Sequence, residues 1–193
     1  PGARRRARNV ILFVGDGMGI STVTAARILE GQRLGGAGEE HQLAFERLPY
    51  LALSKTYSAN QQTSDSAPTA TAMVTGVKTR EGALSVDETI PSGEADAAVT
   101  ARHALATLLE QAAARGLATG FVTTTRVTHA TPAALYAHTP NRDWEWDAKL
   151  PAGATVPDIA AQLVAAQQKY GIDVVLGGGR AAFMPASAPD PEH

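Results

Sequence analysis

The chain has no cysteine in its 193 residues. That excludes a disulfide framework, a thiolate metal site and a cysteine nucleophile. It leaves the compartment open, because a chain without cysteine folds in either redox environment. A charge excess is also lacking: Lys and Arg number 17 against 19 Asp and Glu, a formal net charge of −2. That balance makes no electrostatic case for nucleic acid or an anionic membrane surface. No apolar run reaches the length of a membrane span, and no signal-peptide pattern is visible. The one basic run, Arg4-Arg5-Arg6, reads as part of a flexible, solvated tail over residues 1–8 rather than a polyanion contact. Internal repeats are absent, and the only compositional bias is toward alanine. With 44% hydrophobic residues, the chain can still bury one core of respectable size.

Three missing motifs narrow the chemistry further. The stretch VGDGMG, residues 14–19, follows the apolar run Val10-Ile11-Leu12-Phe13, where a glycine loop for a dinucleotide would sit. The fingerprint G-x-G-x-x-G is not met, because Gly15, Gly17 and Gly19 alternate and position 20 is Ile. Asp16 would also face the pyrophosphate with like charge. A dinucleotide-binding domain is therefore a weak reading. Gly177-Gly178-Gly179-Arg180 lacks the G-K-[ST] ending of a P-loop and is expected to form a tight turn. No G-x-S-x-G surrounds Ser66, which sets aside a hydrolase elbow.

What is present reads as alternating strands and helices. Apolar runs predict strands over 9–14, 119–125 and 172–176, and partial alternation of apolar and polar residues predicts another over 50–58. Helices are predicted over about 20–31, ending at Gly31, over 66–75 with Gly76 just past its end, and over 157–169. The strongest helical pattern spans 96–115, with Val99, Leu105, Leu108, Leu109 and Ala112 on one face and Gly116 as its stop. The implied fold class is α/β, a mostly parallel central sheet with helices on both faces. Ligands in such sheets bind beyond the carboxyl ends of strands. Asp16, Arg126, His129 and the 177–179 glycines all follow predicted strands.

Ser66 opens a predicted helix, with Pro68 in its first turn. A serine there is by default an N-cap. The same position suits attack on phosphorus, since helix amides and the dipole favour an anion. A serine is a weak nucleophile until a base or a metal activates it. No histidine lies near it in sequence, so a metal is the natural candidate. In the stretch 123–142, His129 and Thr131 stand two apart and would point the same way in extended chain. His138 reads as a packing or hydrogen-bonding histidine, and Arg142 taken alone as a surface charge.

Taken together, NVILFVGDGMG, DSAPTATAMVTGVKT, TRVTHATPAALYAHTPNR and DVVLGGGR resemble the alkaline phosphatase family, in order, from about residue 9 to the C-terminus. The His-Ala-Thr-Pro and PDPEH stretches are more similar to the animal-type branch than to the enterobacterial one. The resemblance implies phosphate monoester hydrolysis through a phosphoserine, by two in-line displacements at a centre of two zinc ions and a magnesium-type third site. Asp16 matches the carboxylate that bridges one zinc and the third site, the glycines serving to project it. Ser66 matches the nucleophile and zinc ligand. Asp65 matches the residue that hydrogen-bonds the phosphate-binding arginine, and Arg142 matches that arginine. Thr131 matches a ligand of the third site. His129 stands where some members have aspartate; either its imidazole makes that site less selective for magnesium and open to a softer metal, or it only hydrogen-bonds to the groups that hold the metal.

The resemblance also implies small phosphate monoesters and inorganic phosphate as partners, a homodimer when complete, and a periplasmic or secreted location. It implies further aspartate, histidine and glutamate ligands beyond position 193. The chain is thus expected to be the N-terminal part of a single larger domain, inactive by itself. The alternative is a non-catalytic phosphate-binding fragment that uses Ser66, Arg142 and helix amides without zinc.

Overall fold

The computed structural model describes residues 7–184. The PDPEH stretch and the arginine run at 4–6 lie outside that range. The chain divides into two compact units, Pro1–Ser54 and Lys55–His193.

The first unit is built on helix α1, Ile20–Arg33. It runs two residues past Gly31, the predicted stop, because Gly31 is buried within it. A Cβ there would lie 2.7 Å from the Gly38 Cα and 2.8 Å from the His41 Cβ, so its lack of a side chain lets the following loop fold back. The run 9–14 has no strand pairing, and Val10, Ile11 and Phe13 are exposed. The strand expected over 50–58 is also unpaired among the described residues, with Leu51 and Leu53 exposed. A strand exists only through a neighbour's ladder, and neither segment finds one there.

In the second unit, helix α2 spans Ser66–Thr75 and stops at Gly76, which is left-handed. The pattern over 96–115 forms two helices, α3 (Ala97–His103) and α4 (Leu108–Ala113), instead of one. Tertiary hydrogen bonds make the break. The Leu105 amide donates to the Ser85 carbonyl (2.9 Å), and Ala104 bridges to Val86. Thr107 and Glu110 then form a capping box that restarts the helix.

Strand β1, Gly120–Arg126, leads through the short helix α5, Ala130–Ala133, to helix α6, Ile159–Tyr170. Strand β2, Val174–Gly178, then pairs parallel to β1. A parallel pair needs such a crossover, so the α/β expectation holds here. The register places Gly120, Phe121 and Val122 against Val174, Val175 and Leu176. It then shifts to Arg126 against Gly178. Gly177 and Gly178 belong to this strand, so the expected turn begins only at Gly179. Their reason is close approach: a Cβ on Gly177 would sit 2.6 Å from the Thr123 Cγ2 and 2.7 Å from the Val127 Cγ1.

The core joins Leu84, Leu109, Phe121, Ile159, Leu163 and Ile172, with alanines lining α2 and α5. Small side chains let those two helices approach closely. Phe121 stacks on Tyr136 with ring centroids 5.7 Å apart, and the Tyr136 hydroxyl donates to the Val127 carbonyl (2.7 Å). Ser85 holds a left-handed backbone (φ 44°) between the helices. Its amide donates to the Thr71 Oγ1 on α2, and its hydroxyl donates to the Ala134 carbonyl just past α5. The pairing of α2 with α5 is therefore fixed by both packing and hydrogen bonds.

Candidate functional site

The site is built at the N-terminus of α2. Asp65 is the N-cap: its carboxylate accepts from the Ala67 amide at 2.8 Å and so satisfies one of the helix's orphan donors. Its own amide donates to the Glu81 Oε1 (2.8 Å), and Glu81 also accepts from the Ser58 hydroxyl (3.2 Å). Ser66 is thus the first helical residue, half-buried, on a turn held from both sides.

Arg142 reaches this turn from the loop after α5. Its backbone amide donates to the Gly82 carbonyl at 2.8 Å. One arm of its guanidinium donates to the Ser66 Oγ (2.9 Å) and lies 3.4 Å from the Asp65 Oδ2. The other arm lies 3.0 Å from the His129 Nε2. A guanidinium has no acceptor, so that imidazole nitrogen accepts the bond and the ring proton sits on Nδ1. Arg142 therefore draws Ser66, Asp65 and His129 around one planar fork. A fork of this kind matches two oxygens of a phosphate.

His129 is the N-cap residue of α5 and extended, but Thr131 lies inside that helix. The shared direction expected of the two in extended chain is therefore lost, because the chain turns into helix between them and helix residues two apart do not share a face. Asp16 belongs to the first unit, in an exposed turn before α1. Gly17 there takes a left-handed conformation (φ 67°), the freedom expected of a glycine beside a projecting carboxylate.

His138 stands apart from this cluster, as the packing reading expected. Its Nδ1 donates to the Ser85 carbonyl (2.8 Å), and its Nε2 lies 3.1 Å from the Glu110 Oε1. Burial disfavours the imidazolium, but the bonds to Glu110 and Ser85 outweigh it and raise the His138 pKa. Burial likewise pushes Glu110 up. Hydrogen bonds from His138, the Thr107 amide and Tyr170 prevail and bring it down to about 2.

Two carboxylates close to the cluster escaped the sequence reading. Glu81 holds the Asp65 amide. Glu145 accepts from the Arg126 Nε (2.8 Å), the Arg126 Nη2 (2.6 Å) and the Thr128 hydroxyl (2.6 Å). The available signal for Glu145 was an acidic residue set between Trp144 and Trp146, in a segment that also carries Arg142.

The chain also matches known proteins. The sequence model of the family described as "Alkaline phosphatase" matches residues 7–193. Among curated proteins, the chain is 47% identical to an alkaline phosphatase of Gadus morhua, over 98% of this chain and 40% of that protein. It is 46% identical to the tissue-nonspecific alkaline phosphatase isozyme of Homo sapiens, over 97% of this chain and 36% of that one. Among solved structures, the cold-active alkaline phosphatase of a psychrophilic Shewanella aligns with TM-score 0.66 at 34% identity, over 90% of this chain and 36% of that one. The enzyme of Thermus thermophilus aligns with TM-score 0.67 at 30% identity, over 96% and 33%. The chain spans between a third and two fifths of the length of these relatives. Family profile, sequence identity and fold agree over almost every residue, and the chain belongs to the alkaline phosphatase family.

Proposed function

We propose that the protein hydrolyses phosphate monoesters, with Ser66 as the nucleophile and Arg142 as the phosphate clamp. One observation carries this reading: the Arg142 guanidinium holds the Ser66 Oγ at 2.9 Å at the start of a ten-residue helix. A phosphoryl group entering there meets the planar fork and the amides of the first turn of α2. Ser66 attacks phosphorus in line and gives up its hydroxyl proton, the ester oxygen leaves with its electron pair and takes up a proton as the alcohol, and water then opens the phosphoserine, returning a proton to the Ser66 Oγ and releasing inorganic phosphate. Two inversions give net retention. Asp65 fixes the fork through its 3.4 Å ion pair, and His129 fixes it from the other side.

A metal centre belongs to this reading. The family implies two zinc ions and a magnesium-type third site, and Asp16, Ser66, Thr131 and His129 are the donors we assign from this chain. They make a mixed set of one carboxylate, one imidazole and two hydroxyls, and the imidazole would have to exchange its Nε2 bond from Arg142 for the metal. Among the described residues, no three of His, Cys, Asp or Glu gather as a metal site would require. Ser66, Thr131 and His129 would contribute a share of such a centre from the second unit, and Asp16 is assigned to it from its motif alone. When bound, the metals would supply Lewis-acid activation of a hydroxyl and of water at neutral pH.

Periplasmic or secreted location, a homodimer and small phosphate monoester substrates go with the same reading. No helix among the described residues is long and apolar enough to cross a membrane. The partial donor set favours one second reading, in which these residues alone bind phosphate without turnover. Acid quenching of the protein, expressed at the full length of its reading frame, during turnover of labelled phosphate ester separates the two. Peptide mapping should place the label on Ser66. Label elsewhere ends the assignment, and reversible phosphate binding with no covalent label favours the second reading.

A further inference from the structure

We propose that Glu145, held by Arg126 and Thr128, is a positioning residue that sets the spacing between His129 and Arg142; the proposal rests on the phosphoryl-transfer reading above. Glu145 lies three residues beyond Arg142, with its side chain only 12% exposed. It accepts from the Arg126 Nε at 2.8 Å, the Arg126 Nη2 at 2.6 Å and the Thr128 Oγ1 at 2.6 Å. The donors flank the site. Arg126 ends β1, and the fully buried Thr128 directly precedes His129.

One carboxylate therefore ties the segment carrying His129 to the segment carrying Arg142, independently of the direct bond between those two side chains. The backbone around Glu145 is anchored as well. Trp144 is buried, its carbonyl accepts from the Ile159 amide (2.9 Å), and the Glu145 carbonyl accepts from the Ala160 amide (3.1 Å). The brace thus stands on the first turn of α6 and reaches across to the end of β1.

A paired fork defines angle as well as distance, which a single hydrogen bond does not. Burial opposes the Glu145 charge, while the bonds from Arg126 and Thr128 and the Arg126 charge favour it, and its pKa falls below the usual carboxylate value. The carboxylate thus stays charged where an unpaired one would be costly. A phosphate clamp tolerates little displacement: an error of about 1 Å can cost on the order of 100-fold in rate. Arg142 contacts Ser66, Asp65 and His129 at once, so a shift of its loop disturbs all three.

The test is a double-mutant cycle in the protein at the full length of its reading frame, loaded with zinc and magnesium. Glu145→Gln keeps an acceptor for Thr128 and removes the charge that pairs with Arg126. It should lower kcat/KM for an aryl phosphate by roughly 10- to 100-fold and weaken inhibition by inorganic phosphate in parallel. In an Arg142→Ala background the same change should cost less than about twofold, because a residue that acts through Arg142 has nothing left to position. An equal loss in both backgrounds, or no loss in either, overturns the proposal. Arg126→Gln, at a half-exposed position, repeats the cycle from the other partner. Loss of the fold in both variants would assign the cluster to stability and also overturn it. Ser66→Ala is the separate control: activity retained there sinks the phosphoserine reading, whereas an inactive Ser66→Ala beside an unaffected Glu145→Gln sinks the brace alone.

Discussion

Removing the buried charge at Glu110 should cost stability in a pH-dependent way. The Glu110 carboxylate accepts from the Thr107 amide (2.8 Å), the Tyr170 hydroxyl (2.9 Å) and the His138 Nε2 (3.1 Å). It thereby ties α4 to α6 and to the chain after α5. Burial raises its pKa, the three bonds lower it, and the result is a fall from 4.5 to about 2. Such a fall corresponds to about 3 kcal/mol at neutral pH, and solvent reaching the pair trims this to about 2–3 kcal/mol. A depressed carboxylate contributes stability above its unfolded pKa of 4.5, and this is lost as pH falls through about 2. His138 runs the other way. Its folded pKa is raised above 6.5, so its contribution is full below 6.5 and lost as pH rises through the folded value.

The pair is therefore strongest between about pH 4.5 and 6.5 and weakens toward alkaline pH. The groups facing His138 are Glu110 from α4, Lys169 from α6 and the Ser85 carbonyl, and Lys169 opposes its charge. Urea unfolding of the protein and of Glu110→Gln, between pH 5 and 9, measures this. The variant should lose about 2–3 kcal/mol near pH 6, and its decline in stability above pH 6.5 should flatten. An identical slope in both proteins would refute the coupling of Glu110 to His138.

Arg142→Ala should weaken inhibition by inorganic phosphate by about 1.5–3 kcal/mol, read from inhibition constants, while zinc per chain measured by mass spectrometry stays constant. Loss of zinc instead would give Arg142 a structural role. His129→Asp replaces an imidazole with a hard oxygen donor, so calorimetry should show tighter magnesium binding, and an unchanged isotherm would remove His129 from the third site. Gly177→Ala should destabilise by about 1–3 kcal/mol in thermal melts, because its methyl would press on Thr123 and Val127 across the β1–β2 pair. An unchanged melting point would mean the strands part there without cost.

Local chemistry made much of this protein legible from sequence. Ser66 opens α2 and Gly76 closes it, where the residue types alone place them, because helix ends depend on neighbours only a few positions away; the cap itself is Asp65, one residue before the serine that reads as the default cap. The strands at 119–125 and 172–176 were likewise readable from their apolar runs, within two residues of β1 and β2. The motifs around Asp16, Ser66 and Arg142 carried the family for the same reason: each is a short, ordered string. Tertiary structure decided what depends on distant partners. Hydrogen bonds from the Leu105 amide and the Thr107 hydroxyl to the Ser85 and Leu135 carbonyls split the 96–115 pattern at residues 104–107, overriding a periodicity that would otherwise run on as one helix. The close approach of Thr123 and Val127 put Gly177 and Gly178 in a strand. Glu145 became a partner of Arg126 and Thr128 only because the crossover through α5 brings residues 17 to 19 positions apart within hydrogen-bond reach. Sequence periodicity reports which face of a segment is buried, and it carries no record of what that face will meet.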